Sequence, residues 1–177
     1  MSSRPFRYCP VCRTELVPGR HGGRVRLGCP ACGFVHWGNP LPVVGAIVER
    51  DGHVLLVRSH GWPSSWYGLV TGFLEPGEHP EEAVLREVKE ELGLDATVGA
   101  FIGAHPFERL NQIILTYHVV AGPGEVRLAT EELADWKAVP FAKLRPWTRG
   151  TGPALGAWLA SRGYHPAPAE FGEHIDD

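Results

Sequence analysis

Apolar and polar positions along this chain follow two periods. Val43 to Val48 and Val54 to Val57 are apolar, β-branched runs, and Glu49-Arg50-Asp51-Gly52-His53 between them carries an Asp-Gly turn, which predicts a β-hairpin. Leu69-Val70-Thr71 predicts a strand running into Gly72. From Pro80 the period lengthens: Val84, Val88 and Leu92 recur every four residues with Leu85 beside them, predicting a helix over about 80–92. Pro80 suits its first turn, Glu81 and Glu82 follow where the helix dipole favours negative charge, and Gly93 marks its stop. Thr97 to Ile102 and Ile113 to Val120 read as strands, the unbroken Ile113-Ile114-Leu115 predicting burial on both faces of the second. Val126 to Leu128 is expected to start another strand. Leu133 to Val139 is expected as an edge strand ending at Pro140, and Pro153 to Ser161 as a terminal helix with Leu155, Trp158 and Leu159 at helical spacing.

The 177 residues are 44% hydrophobic and 21% charged, which suits one globular domain with a small appendage. The formal net charge of -3 points to no particular partner. The expected divisions are a small unit over 1–38, a main domain over 39–163 that opens with a stiff linker, Asn39-Pro40-Leu41-Pro42, and a disordered tail over 164–177. No apolar run is long enough to cross a membrane and residues 1–12 lack the apolar core of a signal peptide, so a soluble, cytoplasmic protein is expected.

All four cysteines fall in the first 32 residues, as Cys9-x-x-Cys12, sixteen intervening residues and Cys29-x-x-Cys32. Each pair places two thiolates at a tight knuckle, and two knuckles complete a closed tetrahedral site, so a structural zinc ribbon is expected. Two disulfides or a redox pair are the competing uses of these cysteines. The ribbon is locally basic, with Arg4, Arg7, Arg13, Arg20, Arg24 and Arg26 against Glu15. That suits attraction of phosphates, and equally a solvated hairpin.

Acidic residues occupy seven of the twenty-three positions from Gly72 to Leu94. On the helix Glu87 neighbours both Glu90 and Glu91, and such like-charge pairs cost ~0.2–0.5 kcal/mol each in an isolated helix. A divalent cation reverses that penalty, and magnesium prefers a few carboxylates, water and substrate phosphates. Arg86 is placed to orient a carboxylate through paired hydrogen bonds. A solvated acidic face is the bland alternative.

Gly72, five residues, Glu78, seven residues, Arg86-Glu87-Val88, one residue, Glu90-Glu91, one residue and Gly93-Leu94 match the Nudix box at each of its nine defined positions. The chain resembles a Nudix hydrolase, and its ribbon places it near the NADH, ADP-ribose and FAD pyrophosphatases. The resemblance implies an α+β fold, an α/β/α sandwich around a mixed β-sheet. It implies hydrolysis of a nucleoside diphosphate linked to another moiety, giving a nucleoside monophosphate and a second phosphate. Glu87, Glu90 and Glu91 would hold magnesium or manganese, with the Gly72 carbonyl as a further ligand, Arg86 as their orienting group and Glu78 bracing the loop. Glu132 or Glu131, ahead of the aromatic strand, would return to the metal, unless they are only a surface turn. Glu91 and Glu132 are the candidate general bases.

The NADH branch carries a Ser-Gln-Pro-Trp-Pro-Phe-Pro-type stretch after the box, of which residues 103–112 keep only Pro106-Phe107, which favours an ADP-ribose-like or FAD-like dinucleotide. Trp62, Trp66, Tyr67 and Phe107 are available to stack on a base or simply to pack. A homodimer is suggested by family resemblance alone. The rival readings are a non-catalytic nucleotide-sensing or RNA-associated binding module, and an enzyme removing a dinucleotide cap from RNA.

Overall fold

The computed structural model describes residues 6–170, which divide into two compact units, 6–40 with 109–111 and 41–108 with 112–170. In the first unit β1 (Val17–His21), β2 (Arg24–Gly28) and β3 (Val35–His36) form an antiparallel three-stranded sheet in that order. The two knuckles repeat one backbone pattern. The Cys9 amide donates to the Thr14 carbonyl and the Arg13 amide to the Cys9 carbonyl, as the Cys29 amide donates to Phe34 and the Gly33 amide to Cys29. Both knuckles need a left-handed residue at the same place, filled by Gly33 (φ 76°) in one and by Arg13 (φ 65°) in the other.

The second unit is built on β4 (Leu41–Arg50), β5 (His53–Ser59), β6 (Val70–Phe73), α1 (Pro80–Leu92), β7 (Ala96–Phe107), β8 (Gln112–Ala121), β9 (Leu133–Pro140) and α2 (Gly152–Ser161). The sheet order is β7-β8-β4-β5-β9, with β6 also paired to β4. β4 and β8 are parallel and the other pairs antiparallel, so the sheet is mixed. Successive side chains of β4 go to opposite faces. Val44, Ala46 and Val48 meet Val84, Val88 and Leu92 of α1, while Ile47 meets Leu155, Trp158 and Leu159 of α2. The result is the expected α/β/α sandwich.

The β4–β5 turn has Asp51 and Gly52 both at positive φ, the geometry that matches the twist of a two-residue hairpin. β5 pairs with β4 only from Val48 to Arg50, and β6 takes the same edge of β4 from Val43 to Ala46. Beyond Leu55, β5 leaves β4, and Val57 meets Gly68 instead. This fork lets β6 carry Gly72 under α1.

Three expectations change. Leu41 and Pro42 are not linker but the first residues of β4, paired with Gln112 and Ile113. β7 continues to Phe107, accommodated by two register shifts. Val126 to Leu128 forms no strand: the Arg127 amide donates to the Leu92 carbonyl and the Ala129 amide to the Glu91 carbonyl, so the segment satisfies the open end of α1. Of the expected tail, residues 164–170 are described, with the Ala169 amide donating to the Pro146 carbonyl, and 171–177 lie outside the described residues. No described helix is long and apolar enough to cross a membrane.

Candidate active site

α1 is fixed at both ends by its own sequence. His79 caps its start, accepting from the Glu81 amide while Glu82 reaches back to the His79 amide, and Gly93 closes its end in the left-handed conformation. The apolar stripe sets the rotation, and that rotation carries Glu87 and Glu91 toward the sheet. Glu91 is only 7% exposed, on the buried side of α1 together with Val84, Val88 and Leu92.

Gly72 of β6 faces this helix. A β-carbon there would overlap with the Glu87 carboxylate, so glycine is required by closeness rather than by backbone conformation. Arg86 organises the surrounding acids. Its Nε and one terminal nitrogen make a fork on Glu78 at 2.7 and 2.9 Å, and the other terminal nitrogen donates to Glu87 (2.7 Å) and Glu90 (2.9 Å). It also donates to the Phe73 carbonyl at 3.1 Å, fastening the loop between β6 and α1 to the helix. Glu78 in turn accepts from the Glu75 amide. The guanidinium holds the Glu78 carboxyl down at about 2, and the acids hold Arg86 above its ordinary value.

Glu87 and Glu91 are pushed the other way. Burial raises Glu87 despite its contact with Arg86. Burial first, then the charges of Glu87 and Glu132, raise Glu91 to about 8, with the Thr71 amide working in the opposite sense. Oε2 of Glu91 is buried and has no hydrogen-bond partner among the described residues. A buried carboxylate oxygen left without a donor beside two further acids is suited to a hard cation.

A cleft of about 460 Å³ opens here, lined by Glu87, Glu90, Glu91 and the segment from Leu128 to Glu132. The same backbone bonds that close α1 bring that segment back over the helix. Two contacts from the loop after β5 hold it: the His60 amide donates to the Glu132 carbonyl at 3.1 Å, and His60 Nε2 lies 2.9 Å from the Thr130 carbonyl. His60 is the residue that sequence reasoning missed, since seventy positions separate it from Thr130 and no local pattern marks it.

Glu87, Glu90, Glu91, Glu131 and Glu132 thus line one cleft, while Gly72 packs against Glu87, and Arg86, held by Glu78, reaches Glu87 and Glu90. Trp62, Trp66, Tyr67 and Phe107 do not line it. Tyr67 is 2% exposed and its hydroxyl donates to Asp135, so it packs and is not available to stack on a base.

In the first unit the four cysteine sulfurs lie within 4.8 Å of one another, with Cys9 to Cys32 at 3.6 Å and Cys12 to Cys29 at 3.4 Å. These separations are far longer than a disulfide of ~2.05 Å. They approach the spacing that four bonds of ~2.3 Å impose around tetrahedral zinc. The two CxxC pairs are thus brought into one four-sulfur cluster able to hold a metal.

Comparison with known proteins agrees with this geometry. The NUDIX domain family matches residues 39–159. A protein named NAD-capped RNA hydrolase NudC from Stutzerimonas stutzeri is 33% identical over 129 residues, 73% of this chain and 46% of that protein. The CTP pyrophosphohydrolase of Escherichia coli is 32% identical over 131 residues, 72% of this chain and 97% of the relative. Among solved structures, a NUDIX hydrolase from Nitrosomonas europaea superposes with a TM-score of 0.75 at 21% identity, covering 93% of this chain and 97% of its own. The chain spans about half the length of the NudC relatives it matches. The box geometry, the sandwich and the match over residues 39–159 lead to one conclusion: the chain belongs to the NUDIX family.

Proposed function

We propose that this protein is a metal-dependent hydrolase of a nucleoside diphosphate linked to a second moiety, of the ADP-ribose, FAD or NADH type, working in the cytoplasm. The observation that carries the reading is the buried Glu91 carboxylate beside Glu87, with an oxygen that has no hydrogen-bond partner among the described residues, in a cleft that Glu132 also lines. Glu87, Glu90, Glu91 and the Gly72 carbonyl would hold magnesium or manganese. Such an ion supplies charge neutralisation for the diphosphate and lowers the cost of ionising water.

The chain's own residues do the rest. Arg86 keeps Glu87 and Glu90 from turning away and locks the Glu78 loop, so the carboxylates need not reorganise when substrate arrives. Glu91, buried beside Glu87, and Glu132, on a segment clamped by His60, are the candidate groups to take the proton from the attacking water. Water attack on one phosphorus then releases a nucleoside monophosphate and the second phosphate. The four-cysteine cluster would hold structural zinc.

The test is product analysis by mass spectrometry in water labelled with heavy oxygen. ADP-ribose, NADH, FAD, diadenosine polyphosphates and nucleoside triphosphates are offered with magnesium or manganese. AMP from one dinucleotide, with label in a single product, supports the reading, and Glu91→Gln is expected to abolish turnover in a folded protein. Turnover of none of these compounds, or a fully active Glu91→Gln, overturns it.

A second reading, removal of a dinucleotide cap from RNA, is favoured by the NudC relatives, whose name refers to NAD-capped RNA. It also returns NAD-type compounds to the same footing as ADP-ribose and FAD. Capped RNA would then be cleaved with a strong salt dependence that free dinucleotides lack.

A further inference from the structure

We propose that the outer face of the ribbon sheet binds a short stretch of single-stranded nucleic acid. In an antiparallel sheet, residues opposite one another share a face. The register Val17↔Gly28, Gly19↔Arg26 and His21↔Arg24 therefore puts His21, Arg24 and Arg26 on one side of β1 and β2. The other side carries Leu27, which packs on Cys9, Leu16 and Cys29. The basic face is thus the one turned away from the cysteine cluster.

That face is built as a platform. The His21 ring lies over Gly19 and Gly28, and a β-carbon at either glycine would run into the imidazole. Trp37, directly after β3, is 50% exposed, and the Arg26 guanidinium sits 5.2 Å from its ring centroid. Nε of Arg26 is buried without a hydrogen-bond partner among the described residues. A half-exposed indole beside the Arg26 guanidinium, with Arg24 on the same face, offers stacking for a base and charge for the neighbouring phosphates, a combination that tolerates any base sequence.

Charge selects the occupant. Residues 1–40 hold six arginines against one acid, Glu15, which Arg7 already engages at 3.3 Å, although the whole chain is net -3. A polyanion suits that surplus, whereas a second copy of the same basic face does not. The proposal is independent of the hydrolase reading, because binding requires no turnover.

The test is fluorescence anisotropy on the whole protein without magnesium or manganese, using a labelled oligouridylate of about ten nucleotides and its deoxy counterpart. Binding is expected at low salt and is expected to weaken steeply as salt rises. Trp37→Ala and Arg24→Glu should each weaken it about tenfold or more, with Trp37→Phe recovering most of the loss. Hydrolysis of free dinucleotide should be unchanged in all three. Arg24 is exposed at a strand end, so its variant carries the test should Trp37→Ala misfold. No binding by the wild type at low salt, or equal binding by Trp37→Ala and Arg24→Glu, overturns the proposal. So does sedimentation showing that these variants dissociate a dimer while keeping oligonucleotide affinity.

Discussion

Gly72 and Glu87 lie so close that a β-carbon on the first would occupy the carboxylate of the second. The strand and the helix are therefore spaced for an acid and not for a side chain on β6. Gly72→Ala should leave the sheet folded by circular dichroism and displace Glu87. A displacement near 1 Å at a reacting centre costs about 100-fold in turnover, and a steady-state rate measurement would show it.

Arg86 joins four partners, and they are not equal. Glu90 is largely exposed, so its link contributes little, whereas Glu78 and Glu87 are mostly covered. Arg86→Ala should cost about 2 kcal/mol, the scale of losing hydrogen bonds to charged groups, visible as a lower melting temperature. Arg86→Lys should recover less than half, because a single ammonium cannot reproduce the fork on Glu78.

Glu91 predicts a pH dependence of stability in protein free of magnesium and manganese. Its carboxyl titrates at about 8 when folded against 4.5 ordinarily, so the folded state holds the proton more tightly. This group therefore favours the fold fully below pH 4.5, and its contribution is lost as pH rises through about 8, with a slope of at most about 1.4 kcal/mol per pH unit. Burial gives Glu87 the same sign. Chemical denaturation across this range should show wild type weakening relative to Glu91→Gln. Manganese added near pH 8 should restore wild type and leave the variant unmoved.

The cysteine cluster predicts a separable loss. Cys29→Ser, at a buried sulfur, or a strong chelator should release about one zinc per chain and unfold residues 6–40. Hydrogen exchange should show amide protection lost there and kept in β4 and β8, whose core is apolar.

Much of this arrangement was legible because its causes are local. The period of Val84, Val88 and Leu92 located α1 from Pro80 to Leu92, and Asp51-Gly52 located the hairpin turn. The box spacing marked which acids would share a face. What was not legible depends on distant chain. Pro42 looked like linker because its partner, Ile113, is far along the sequence. Val126 and Leu128 looked like strand because a short apolar run carries no period, and their neighbours' amides instead go to the end of α1. His60 gave no signal at all, since its role exists only once the loop after β5 meets the segment before β9.

The fork in the sheet bears on how the chain reaches this state. β5 and β6 draw on the same row of donors and acceptors along β4, and the change of partner falls at Ile47. A hairpin forms in microseconds from neighbours in sequence, well before more distant segments meet. Were β5 to zip past Val48 it would take the positions that Val70 to Phe73 need, leaving Gly72 without a seat. Where the early hairpin stops thus decides whether the glutamates of α1 ever acquire their facing strand.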